Sequence, residues 1–145
     1  MITVNTIQAG SPHLSEAAAQ YLTDLWNTAY PHMRTDLTEV IAAHRNASLR
    51  RPGRQRTETA KEIRRYESVR RELGQLDRGT HRPCSRSEPR FSLFAATNAV
   101  RHALDALPVD SPHAGDIYRL AAELSDLRTA EMTRIKQGEA DHAEA

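Results

Sequence analysis

The stretch TETAKEIRRYESVRRELGQLD, residues 57–77, decides the fold. Ile63, Tyr66, Val69, Leu73 and Leu76 fall within an arc of about 140° when each residue advances 100° around an axis. That spacing belongs to a helix and not to the two-residue alternation of a strand. Opposite the arc stand Lys61, Arg64, Arg71 and Arg78. One helix thus carries an apolar stripe for a core and a basic face that no core requires. Glu67 interrupts the basic face and is spaced to pair with Arg71 four residues on.

Working outward, four more helices follow from the same periodicity. Ser11 and Pro12 read as an N-cap and first helical position, leading into Leu14, Ala18, Tyr21, Leu22, Leu25 and Ala29, with Pro31 expected to end that helix. Asp36 and Glu39 read as a box-like cap for a second helix whose stripe is Leu37, Val40, Ile41 and His44. Pro52-Gly53 should break the chain before the helix at 57–77, leaving a loop over 49–56. A fourth helix, at about 91–107, gathers Leu93, Ala96, Val100, Ala103, Leu104 and Leu107. A fifth opens at Ser111-Pro112, carries Ile117, Leu120, Ala121, Leu124 and Leu127, and is expected to stop at Gly138. The opening MITVNTI alternates Ile2 and Val4 with polar residues and reads as a short extended arm.

The fold class implied is all-α: a compact bundle of about five helices in one domain over 1–137, with an acidic flexible tail at 138–145. A chain of 145 residues suits one domain. Its twenty-one alanines and thirteen leucines favour helix packed on helix. A single cysteine, Cys84, excludes an internal disulfide and fits a reducing cytoplasm. No apolar run approaches the roughly 18 residues of a membrane helix, and the N-terminus lacks the pattern of a signal peptide.

The net charge of +1 hides a strong asymmetry. Residues 1–43 hold one base, Arg34, against four acids; residues 44–90 hold fourteen bases against six acids; residues 91–145 hold five bases against nine acids. The central net charge is therefore +8 between flanks of −3 and −4, and thirteen of its fourteen bases are arginine. Arginine's planar fork suits phosphates and carboxylates. Residues 44–57 hold Arg45, Arg50, Arg51, Arg54 and Arg56 and no carboxylate at all, which an ordinary solvated helix face does not explain.

Catalytic and metal chemistry finds little support. His81 and Cys84 have a two-ligand spacing, but a structural zinc site wants four ligands. Gly53, Gly74 and Gly79 are isolated, so no phosphate loop is present. Asp105, Asp110 and Asp116 surround a helix–helix turn, where aspartates cap. Trp26, Tyr30 and Tyr66 could stack on bases, yet with seven aromatics in the chain their first duty is the core. No cofactor is implied. A helix-turn-helix does not fit either, since the Arg-Pro-Gly loop looks too long for the turn.

The segment RNASLRR, Arg45 to Arg51, resembles the R-A-x-L-R-R stretch in the helical small subunits of CRISPR effector complexes. The resemblance implies a non-enzymatic α-bundle that lines up in several copies and presents basic surfaces to RNA and bound target strand. Carried onto this chain, it points to Arg45, Arg50 and Arg51.

The reading that follows is a non-catalytic subunit binding nucleic-acid backbone, RNA or single-stranded DNA, inside a multi-subunit ribonucleoprotein. Arg45, Arg50, Arg51, Arg54 and Arg56 would contact phosphates, with Lys61, Arg64 and Arg71 extending the track and the 78–90 loop ordering on binding. The acidic flanks would meet other protein subunits or further copies of the chain. The rival reading is a protein–protein adaptor whose arginines dock an acidic partner.

Overall fold

Five helices form among the described residues of the computed structural model: α1 (Val4–Gly10), α2 (Glu16–Ser48), α3 (Gly53–Arg78), α4 (Leu93–Ala106) and α5 (Ala114–Glu144). The structure describes residues 1–50, 52–108 and 110–144, the last five of these by backbone only, and among them no strand occurs. The all-α bundle is therefore as expected, but several of the expected boundaries move.

The largest change is at Pro31, which does not end a helix. Leu22, Trp26, Ala29, Met33, Leu37 and Ile41 form one stripe at three- and four-residue steps across the proline, each at most 1% exposed. Proline in a helix interior costs about 3 kcal/mol, whereas each large apolar side chain buried contributes roughly 1.5–3 kcal/mol. The stripe wins, and the two expected helices become one of 33 residues, about 50 Å long at 1.5 Å per residue. Asp36 is consequently not a cap: it sits in mid-helix and accepts a 2.8 Å hydrogen bond from the Ser111 hydroxyl. Ser15, not Ser11, caps this helix, its hydroxyl accepting from the Ala18 N–H.

The opening residues are helical too, where an extended arm was expected. Thr3 Oγ1 accepts from the Thr6 N–H while Thr6 Oγ1 accepts from the Thr3 N–H, both at 3.2 Å. This reciprocal cap satisfies two otherwise orphaned donors and starts α1. Ile2 and Ile7 then enter the core, and the Asn27 side chain exchanges two hydrogen bonds with the Ile2 backbone.

α2 and α3 form an antiparallel hairpin, shown by contacts that run in opposite directions along the two helices. Trp26 Nε1 donates to Asp77 Oδ1 at 3.0 Å, Arg70 Nη1 donates to Thr38 Oγ1 at 3.2 Å, and Arg45 pairs with Glu67. The expected 49–56 loop shortens, because α2 runs to Ser48 and α3 begins at Gly53 behind Pro52. Its first turn is tied down by the Arg56 N–H donating to the Pro52 carbonyl and by Thr57 Oγ1 donating to that of Gly53. The connection is thus as short as a helix-turn-helix turn, but the two helices lie alongside each other as a long hairpin, not crossed. At the other end Gly79 stops α3 at φ 70°, with Thr80 N–H donating to Gln75 and Gly79 N–H to Leu76, a left-handed cap that glycine adopts at no steric cost.

α4 and α5 cover the apolar side of the hairpin. Trp26 sits at the centre, with Phe91 edge-on at 5.2 Å and Tyr30 stacked at 5.8 Å. A smaller cluster of Ile41, Ile63 and Tyr66 continues the core toward the hairpin tip. α5 does not end at Gly138 but remains helical to Glu144, so the expected tail at 138–145 is part of the helix as far as it is described. An exposed glycine in a helix costs only about 1 kcal/mol, too little by itself to stop one.

Replacing the exposed Pro31 with alanine should restore an N–H donor without touching the buried stripe. Urea melts are expected to show a gain of about 1–2 kcal/mol after allowing for the lost stiffness of the unfolded chain. A loss instead would mean that a bend at Pro31 is what seats Trp26 and Met33.

Candidate anion-binding interface

With its apolar side turned to α4 and α5, the hairpin leaves a groove between α2 and α3 open to solvent. Arg34 from α2 and Arg70, Arg71 and Arg78 from α3 line a cleft of about 280 Å³ there, together with Tyr30, Glu67 and Gly74. The only carboxylate in this lining, Glu67, is engaged by Arg45 from the neighbouring turn of α2. No ion pair joins Glu67 to Arg71, the partner expected from four-residue spacing, among the described residues. Gly74 matters for space: a Cβ there would lie 3.1 Å from Arg78 Nη1 and 3.6 Å from the Tyr30 hydroxyl. Its absence lets both groups lean into the same hollow.

Two contacts orient the lining. Arg70 is held by Thr38, and Tyr30 is held flat against Trp26 with 6° between ring planes. Burial raises the Tyr30 phenol above its ordinary range, and Asp77 adds to this while Arg34 and Arg78 oppose it. Tyr30 is thus a neutral O–H donor at any physiological pH. A shelf of about 510 Å³, lined by Tyr30, Pro31, Arg34, Thr35, Thr38 and Glu39, adjoins the cleft through the two residues they share.

The structure sorts the residues expected to form the track. Arg71 is in the cleft, and Arg64 lies exposed seven residues before it on α3, two turns or about 10.5 Å away on nearly the same side. Arg50 is exposed in the hairpin connection and Arg54 in the first turn of α3. Arg56 is drawn back, its Nε donating to the Ser48 carbonyl at the end of α2. Two residues fit less well. Arg45 is paired with Glu67, and Lys61 sits 3.9 Å from Glu58 in a separate groove with Glu62 and Arg65. Arg51 lies outside the described residues.

Arg34 and Arg70 join the site although the sequence reading did not include them in it, and Arg78, read there as part of the basic face, lines the cleft as well. Arg34 looked like a lone base in an acidic segment beyond a helix break, and Arg70 falls near the edge of the apolar arc. The usable signal was the stripe from Leu22 to Ile41, whose unbroken spacing makes α2 continuous and brings Arg34 opposite α3. Among the described residues, none of Arg34, Arg50, Arg54, Arg56, Arg64, Arg70, Arg71 and Arg78 lies within 4.0 Å of a carboxylate oxygen.

The arginine-containing segment after α3 has a shape of its own. Arg90 N–H donates to the His81 carbonyl at 2.7 Å, Ser87 N–H to that of Cys84, and Arg82 Nη1 to that of Ser87. Phe91 then plunges into the core. Cys84 is exposed, and hydrogen bonding from Ser87 and the Arg86 backbone lowers its thiol pKa. Among the described residues no three His, Cys, Asp or Glu side chains come together as a metal site, and no helix is long and apolar enough to cross a membrane. No family model matches the chain, and no match was found among curated proteins or solved structures.

Proposed function

We propose that this chain is a non-catalytic helical subunit that binds nucleic-acid backbone, RNA or single-stranded DNA, within a multi-subunit ribonucleoprotein. The class it would join is the small subunit of a CRISPR-type effector, the family that the Arg45–Arg51 segment resembles. The observation that carries the binding role is the set of eight arginines on one hairpin and its connection, none paired with a carboxylate among the described residues. Guanidinium groups left in water beside one another repel, and a polyanion relieves that repulsion while releasing its counterions. Arg50, Arg54 and Arg64 are the outermost contacts; the cleft residues Arg34, Arg70, Arg71 and Arg78 deepen the track, and Arg45, Arg56 and Lys61 flank it. The acidic flanking segments would face neighbouring subunits.

Fluorescence anisotropy with labelled single-stranded RNA, single-stranded DNA and duplex across a salt series tests this. If six to eight arginines meet phosphates, log affinity should fall with log salt at a slope of roughly −4 to −7. Absence of binding to all three at low salt, with binding to an acidic protein instead, would replace this reading with that of an adaptor.

A further inference from the structure

The cleft between α2 and α3 is more concentrated than a backbone track needs. Four guanidinium groups, from Arg34, Arg70, Arg71 and Arg78, share a hollow of about 280 Å³ whose one carboxylate is taken by Arg45. That volume lies just below the roughly 300–1,000 Å³ of clefts that hold drug-sized ligands, so the hollow suits a small headgroup. An internal phosphodiester brings one negative charge, which leaves most of this positive charge uncompensated. A phosphomonoester brings about −1.5 to −2 at neutral pH and three strong acceptor oxygens, and guanidinium forks bind such oxygens in pairs. The Tyr30 hydroxyl adds a neutral donor beside Gly74, and Thr38 holds Arg70 in place. The adjoining shelf, with the Tyr30 ring, Pro31 and Thr35, offers a partly apolar surface for the sugar and base attached to the phosphate.

We propose that the Arg34–Arg70–Arg71–Arg78 cleft is a phosphomonoester site that holds the terminal phosphate of a nucleic-acid strand, with the terminal nucleoside on the Tyr30–Pro31 shelf. The strand-end assignment rests on the nucleic-acid reading; the preference for a monoester over a diester rests on the cleft alone.

The test compares one single-stranded RNA with a 5′-phosphate, a 3′-phosphate or hydroxyls at both ends, alongside thermal melts of the protein with inorganic phosphate and with a nucleoside monophosphate. The expected result is at least tenfold tighter binding of one phosphorylated form. That gain should vanish in Arg34→Gln/Arg78→Gln and shrink several-fold in Tyr30→Phe, which keeps the ring stack. It should survive in Arg50→Gln/Arg54→Gln, which weakens all three strands together. Equal affinity for all three strands would overturn the proposal while leaving the nucleic-acid reading standing. Stabilisation by the small phosphates through Arg34 and Arg78, without binding of any strand, would overturn both the strand-end assignment and the nucleic-acid reading. No response to any of these probes would overturn the site itself.

Discussion

Replacing Gly10 with alanine is expected to destabilise the fold by about 3 kcal/mol or more, lowering the melting temperature by on the order of 10 °C. The cause is backbone contact. A Cβ at Gly10 would stand 1.9 Å from the Phe91 carbonyl oxygen, so the end of α1 or the segment leading into α4 must move. Neither moves cheaply. Ser11 N–H closes α1 onto the Ile7 carbonyl, and Phe91 is fully buried edge-on against Trp26. Any retreat of Phe91 therefore loosens the centre of the core. Gly53→Ala is the matched control, since nothing lies within 4 Å of a Cβ there, and its effect should stay within about 0.5 kcal/mol. Equal effects at the two glycines would show that α1 does not dock against Phe91 as described.

The second large effect concerns binding. Arg50→Glu/Arg54→Glu/Arg64→Glu changes three exposed side chains that have no carboxylate partner among the described residues and leaves the cleft lining untouched. Loss of three phosphate contacts should reduce the salt slope by roughly 2 for a single strand. Charge reversal adds repulsion, so affinity at low salt should fall by on the order of a hundredfold or more. Circular dichroism should show the helices intact, because none of the three supports the core. Lys61→Glu is the comparison with a smaller expected effect, since Glu58 already accompanies that lysine.

How far these features could be read from the sequence depends on which physical term decides each one. α3 and α4 were legible because local periodicity and tertiary burial agree: Ile63, Tyr66, Val69, Leu73 and Leu76 are all buried. At Pro31 the terms conflict, and a local rule about proline loses to a stripe that only the packed bundle rewards. The MITVNTI alternation is real, but a lone extended arm has no sheet to join, while Thr3 and Thr6 can cap each other. Charge segregation marked residues 44–90 as basic, which takes in α3 but little of α2, and it could not say which arginines are already paired. Arg45 and Glu67 are 22 positions apart and meet only because the hairpin is antiparallel. Arg34 is the mirror case, an unremarkable residue in sequence that the same pairing of helices places among three other arginines.

Photocrosslinking addresses the central claim most directly, because it asks where a strand lies and not only whether it binds. A short single-stranded RNA carrying thiouridine is irradiated with the protein, and the adducts are mapped by peptide mass spectrometry. The account predicts adducts on residues 30–38 of α2 and 54–78 of α3, where the open groove and its arginines lie. These adducts should be lost in the Arg50→Glu/Arg54→Glu/Arg64→Glu variant. Adducts confined to α4 and α5, or adducts on the hairpin that persist undiminished in that variant, would contradict it.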